Sequence, residues 1–191
     1  VFIPETIGAI VYLSRNLEVM KDRTIAGFVL SCVGDDRAWS YLPSRYGGTL
    51  SDRVAKHVLS VTLEDFDQYT FLDRGSDERQ YCSPGVDLPV CSVMRSKYVT
   101  YPEYHTSLDD LELVTPTGLG DSLAMYQRLV EVIERNGRPQ ATVLCEPMMS
   151  RRGLRPTMSK VGVASPTLRM MNVLAYADGT NDLIDIAELV G

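Results

Sequence analysis

Residues Phe71 to Val93 read FLDRGSDERQYCSPGVDLPVCSV, and Tyr104 to Val114 read YHTSLDDLELV. Inside the first stretch, Leu88 to Val93 is a short apolar run bounded by turn-forming residues, the signature of a core strand. Loops dense in ionisable groups flank it: Asp73, Arg74, Asp77, Glu78 and Arg79 before it, Tyr104 and His105 after it. In the second stretch Ser107 is followed three residues on by Asp110, a capping-box-like start for a short helix. Two charged loops around one buried strand describe the rim of a cleft.

Working outward, Ile25 to Val33 (IAGFVLSCV) is a continuous apolar run, expected as a central strand covered on both faces and ended by Gly34-Asp35-Asp36. Asp67 to Leu72 reads as another strand, and Val1 to Ile3 as the end of a buried one. Pro4 and Glu5 open a helix in which Ile7, Ile10 and Val11 share one face. Leu50 to Leu59 is a second helix. The clearest runs from Leu119 to Arg135, with Leu119, Leu123, Tyr126, Val130 and Ile133 spaced by fours and threes and Asn136-Gly137 closing it. Strands alternating with helices predict an α/β fold with a mostly parallel central sheet flanked by helices. The expected organisation is a catalytic-domain part over 1–137, a connecting segment over 138–166, and a truncated helix-turn-helix-like segment over 167–191, with helices Thr167 to Ala177 and Asp182 to Val190 around the turn Asp178-Gly179. Beginning at Val1 without a methionine, the chain reads as a fragment.

Composition bounds the rest. With 191 residues, 45% hydrophobic and 23% charged, the chain has an ordinary globular make-up and can bury roughly 70% of its unfolded surface. A net charge of −6 argues against general affinity for nucleic acid or anionic membrane. From Ser150 onward Arg151, Arg152, Arg155, Lys160 and Arg169 nearly balance Asp178, Asp182, Asp185 and Glu188, so the tail reads as a protein-contact module rather than a DNA reader. No apolar run approaches the ~20 residues of a membrane span. Cys32, Cys82, Cys91 and Cys145 form no CxxC pair; they read as reduced and mostly buried, as in the cytoplasm.

Glu5 stands where a strand gives way to a helix, the end at which open α/β sheets place their sites. It reads either as helix-start electrostatics or as a general base taking a proton from a metal-bound water. His105 is one of two histidines; it is a candidate metal ligand or a hydrogen-bonded loop residue, whereas His57 lies inside a helix. Asp35 and Asp36 either ligate a metal at a strand end or simply end the strand. The charged loop is either a solvated turn or a surface on which Asp77 and Glu78 face the cleft and hold a substrate ammonium or support a metal shell.

Order and spacing carry a resemblance. Pro4-Glu5-Thr6-Ile7-Gly8, the strand to Cys32-Val33-Gly34-Asp35, Ser76-Asp77-Glu78, Gly85-Val86-Asp87-Leu88-Pro89 and Tyr104-His105-Thr106-Ser107-Leu108-Asp109 follow one another as do the motifs of zinc-dependent aminopeptidases related to bacterial leucyl aminopeptidase and glutaminyl cyclase. PETIGAI, DRGSDERQYCSPGVDLPVCS, EYHTSLDDL and EPMMSRRGL are similar to a bacterial aminopeptidase-like subfamily with a C-terminal winged helix. The resemblance implies Glu5 as general base and His105 as metal ligand, with Asp35 able to substitute at the strand end; Asp77, Glu78, Arg79 and Tyr104 are the expected substrate contacts. It implies one or two zinc ions, with further ligands upstream of Val1. Thr6 stands where the wider group has a ligand Glu, Glu78 where it has a His, and Ser31 or Cys32 where it has an Asp.

Two functions follow. One is a zinc-dependent aminopeptidase-like hydrolase cleaving a peptide or amide bond, with this stretch inactive by itself. The other is a catalytically degenerate scaffold used for binding or regulation. The expected partner is a peptide or an amino-terminal small molecule, with self-association left open; action on a sugar or polysaccharide precursor is open too.

Overall fold

A computed structural model describes residues 3–154 and 166–191. Val1 and Phe2 of the expected first strand, and residues 155–165 of the expected connecting segment, lie outside the described residues; Ile3 is not in a strand. The chain divides into two compact units, Val1–Ile133 and Glu134–Gly191.

In the first unit the elements run α1 (Ile7–Arg23), β1 (Gly27–Val29), β2 (Ser40–Leu42), α2 (Leu50–Thr62), β3 (Asp67–Gln68), α3 (Glu78–Tyr81), β4 (Val90–Met94) and α4 (Pro116–Arg135). The sheet order is β1-β4-β2-β3; β1 runs parallel to β4 and β2 parallel to β3, while β2 and β4 are antiparallel. The fold is therefore α/β with a mostly parallel, mixed sheet flanked by helices.

Strand β4 is buried throughout, as its apolar character predicts, and so is the shorter β2. Ile25 to Val33 behaves differently. Only Gly27–Val29 is strand, Ile25 and Leu30 are exposed, and Cys32 turns the backbone to φ +49°. Strand β1 sits at a sheet edge among the described residues, paired only with β4, and its three residues are half-buried. Asp67 to Leu72 is likewise shorter than expected: β3 ends at Gln68 and Phe71–Asp73 forms a 3-10 turn capped by Thr70 and Asp73. No helix follows Ser107. Thr106 and Asp110 accept from local backbone N–H groups, and Leu108 and Leu111 are exposed, so side-chain turns displace a helix with little apolar face to bury.

Helix faces also depart from the sequence reading. In α1 the buried positions are Gly8, Ala9 and Leu13, whereas Ile7, Ile10 and Val11 are exposed. In α4 they are Gly118, Ser122, Met125 and Leu129, whereas Leu119, Leu123 and Val130 are exposed. Small residues let α4 approach closely. Ser122 Oγ donates to Val33 O at 2.7 Å, and the single Tyr126 O–H is shared between Val29 O (3.1 Å) and Val93 O, tying α4 across β1 and β4. Helix α2 is anchored by fully buried Asp52, which accepts from Tyr41, Ser44 and Thr49 and completes the Thr49 capping box.

In the second unit α5 (Pro166–Tyr176) and α6 (Leu183–Val190) pack on each other; Asp182 and Asp185 form a capping box for α6. Gln140 bridges to Asp178 beside the turn at Gly179. Among the described residues no helix is long and apolar enough to cross a membrane.

Candidate active-site cleft

The start of α1 is held by the loop before α3. Ser76 Oγ donates to Glu5 Oε1 at 2.8 Å, the Thr6 N–H donates to Asp77 Oδ1 at 2.7 Å, and Arg79 Nη2 donates to Thr6 Oγ1 at 3.1 Å. These three bonds join residues more than seventy positions apart and hold Thr6 at φ +58°, an unusual value for a β-branched residue. The loop is braced from below by Glu78. Its fully buried carboxylate accepts from Gly75 N (2.8 Å), Ser76 N (3.0 Å), the Tyr98 hydroxyl (2.7 Å) and Ser92 Oγ (3.2 Å).

The expectation that Glu78 faces substrate is therefore corrected: its oxygens are consumed in shaping the loop. Asp77 is also turned to Thr6. Burial pushes its carboxyl up, the nearby Glu5 and Glu78 add to that, and the Thr6 N–H and Arg79 oppose it.

Above this loop lies a cleft of about 640 Å³ whose walls include Glu5, Asp35, Arg79, Tyr104 and His105. Residues expected to act together, and far apart in sequence, thus share one cavity. Tyr104 and His105 stack, with ring centroids 3.9 Å apart and an interplanar angle of 16°; Tyr101 meets Tyr104 edge-on at 5.7 Å. The Tyr101 hydroxyl donates to Cys32 Sγ at 3.4 Å, and burial, then that contact, push its pKa up. Tyr101 is a wall residue the sequence reading missed, as are Leu113 and Val114; for Tyr101 the spacing to Tyr104 three residues on was the available signal. Thr6, Cys32 and His105 all line the cleft and all have positive φ, the kind of backbone strain that collects at functional sites.

Glu5 is exposed, and its second oxygen makes no hydrogen bond among the described residues. Asp35 is nearly sealed. Oδ1 accepts from Arg37 N (3.0 Å) and Ser96 Oγ (2.8 Å), Oδ2 from Ser96 N (3.0 Å), so it organises the turn after β1. Among the described residues no three His, Cys, Asp or Glu side chains come together to hold a metal ion. The expected ligands His105 and Asp35 share the cleft but do not, with the other described residues, make up a zinc site.

Residues 1–136 match the family model described as a domain of unknown function, DUF4910. The chain belongs to the DUF4910 family. Residues 138–191 match a winged helix-turn-helix model. Over 189 residues this DUF4910 chain is 39% identical to a Clostridium acetobutylicum protein named for polysaccharide biosynthesis and for an aminopeptidase-like domain; the match covers 97% of the chain and 43% of that protein. A Clostridium acetobutylicum crystal structure named as a peptidase superposes with TM-score 0.83 at 36% identity, over 97% of this chain and 41% of that one. An aminopeptidase from Aneurinibacillus sp. strain AM-1 superposes with TM-score 0.54 at 18% identity, over 66% of this chain and 30% of that one, a likeness of fold alone. The chain spans less than half the length of the relatives it matches, and its fold is peptidase-like.

Proposed function

We propose that the cleft is the hydrolytic site of an aminopeptidase-like enzyme acting on a peptide or amide bond, with Glu5 as general base. The observation that supports it is the convergence of Glu5, Arg79, Tyr104 and His105 on one cavity from three separate segments. Ser76 fixes one oxygen of Glu5 and leaves the other free to accept a proton from an attacking water. Arg79 and His105 offer donors to a carbonyl oxygen or to a charged substrate end, and the Tyr101–Tyr104 pair supplies an apolar wall. Zinc would supply a Lewis acid and an acidified water in such a site, but the donors among the described residues do not fit the ion.

In the natural polypeptide carrying this chain, Glu5→Gln is expected to lower kcat for aminoacyl amides by about 10²-fold or more, the usual worth of a positioned base, with the melting temperature unchanged. Unaltered turnover in that variant would remove Glu5 from the mechanism. A second reading, a binding scaffold without catalysis, is favoured by the commitment of Asp35 and Glu78 to loop hydrogen bonds. It is distinguished by saturable ligand binding with no hydrolysis in the unmodified protein.

A further inference from the structure

On the other side of Arg79 the surface opens into a second groove, of about 690 Å³, that shares this residue with the cleft. Its walls carry three arginines, Arg45, Arg74 and Arg79, and no carboxylate among the described lining residues. In a chain of net charge −6 this is a local reversal of sign. We propose that this groove binds a phosphate group of a ligand, as a phosphomonoester or diphosphate.

The charges support a dianion. Arg45 is neutralised by Asp87, its Nη2 lying 2.6 Å from Oδ1 and 2.8 Å from Oδ2. Arg74 and Arg79 have no carboxylate within ion-pair distance among the described residues. Each is steadied by neutral contacts instead: Arg74 Nη1 donates to Phe71 O at 3.2 Å with its guanidinium 4.9 Å from the Phe71 ring centre, and Arg79 donates to Thr6 Oγ1. A guanidinium carries five N–H donors, so most of those on Arg74 and Arg79 stay free for an anion. Gln80 also lines the groove, whereas the Thr70 and Ser83 hydroxyls already donate to Asp73 and to the Gln80 carbonyl. Arg74 and Arg79, neither in an ion pair among the described residues although the Asp77 charge lies near Arg79, match the charge and fork geometry of a phosphate better than a single carboxylate. That a ligand held here reaches the cleft past Arg79 rests on the hydrolase reading; the phosphate site does not.

Titration of the whole chain with inorganic phosphate and with pyrophosphate, followed by calorimetry and phosphorus NMR, tests the site without turnover. Saturable binding is expected, tighter for pyrophosphate. Arg74→Gln and Arg79→Gln should each weaken it by about tenfold or more, the change for losing one charge-assisted hydrogen bond. Glu5→Gln, and an Arg151→Gln/Arg152→Gln pair that alters charge in the second unit, should leave it unchanged. Equal weakening by the Arg151/Arg152 pair, insensitivity to Arg74→Gln, or succinate binding as tightly as phosphate would overturn the assignment. Should Arg79→Gln fail to fold, Arg74→Gln decides. Loss of hydrolysis without loss of phosphate binding separates this claim from the previous one.

Discussion

Gly118→Ala separates intrinsic helix preference from packing at the cleft wall. Gly118 lies in the first turn of α4, where exchanging Gly for Ala would by propensity add up to about 1 kcal/mol. A Cβ built there meets Gly34 O at 2.1 Å, Asp35 O at 2.5 Å and Asp35 C at 2.7 Å, all backbone atoms. Carbon–oxygen contacts settle near ~3.3 Å or beyond, so Gly34 and α4 must separate by about 1 Å. Neither can yield freely: Thr115 N–H donates to Gly34 O, Ser96 grips Asp35, and Val114 fills the space beside Gly34. Overpacking of this kind costs about 3 kcal/mol at the upper end of the ordinary range, leaving a net loss of about 2 kcal/mol after the propensity gain. At this chain length that corresponds to about 4–8 °C in melting temperature. Gly120 is the internal control, since a Cβ there meets nothing within 4 Å. Urea unfolding followed by the single tryptophan, Trp39, reports on the first unit. Gly118→Ala should shift the midpoint down and Gly120→Ala hold it level or raise it. Equal midpoints would refute the claim that α4 sits in backbone contact with the Gly34–Asp35 turn.

Other outcomes follow from burial and hydrogen bonding. All four cysteines are free, Cys82 and Cys91 buried, Cys32 half-buried and Cys145 exposed, and burial pushes the Cys82 and Cys91 thiols up. A thiol reagent should label Cys145 first and Cys32 next, with Cys82 and Cys91 reacting only on unfolding; early labelling of Cys91 by mass spectrometry would contradict the core. Burial raises the Asp52 pKa, but hydrogen bonds from Ser44, Thr49 and Tyr41 outweigh it and hold the carboxyl below its ordinary 3.8. A depressed acid stabilises the fold above its unfolded value and loses that contribution as pH falls through the folded one. The melting temperature should therefore drop steeply below about pH 4, and Asp52→Asn, less stable at pH 7, should flatten that slope; an unchanged slope would remove Asp52 as its source.

The α/β class, the ranges of α2 and α5, and the buried strand near Leu88 to Val93 could be read from the sequence because each couples an apolar pattern to local punctuation. Burial faces could not. Helix α4 repeats Leu119, Leu123 and Val130 with good helical spacing, yet the positions it buries are Gly118, Ser122, Met125 and Leu129. Periodicity marks that a helix has an apolar stripe, whereas close approach is decided by small residues and by partners such as Val33 O and Val93 O. Ile25 to Val33 failed for a related reason: an apolar run cannot disclose whether it will lie at the middle of a sheet or at its edge.

The site shows the same division. That Glu5 and His105 share a cavity was legible from the order of the motifs through the family resemblance it carries. Which carboxylates face that cavity was not. Asp35, Asp77 and Glu78 all read as equivalent acids, but oxygens become available only where backbone N–H groups leave them so. Glu78 is drawn under its loop by Gly75 and Ser76, Asp35 is claimed by Ser96, and Asp77 by Thr6. Glu5 and Asp77 each keep one oxygen without a hydrogen bond among the described residues, but of the two only Glu5 is exposed and lines the cleft. Asp77 holds Thr6 in its strained turn directly and Glu78 does so through the loop it braces, so the charge density of this loop sets where Glu5 points.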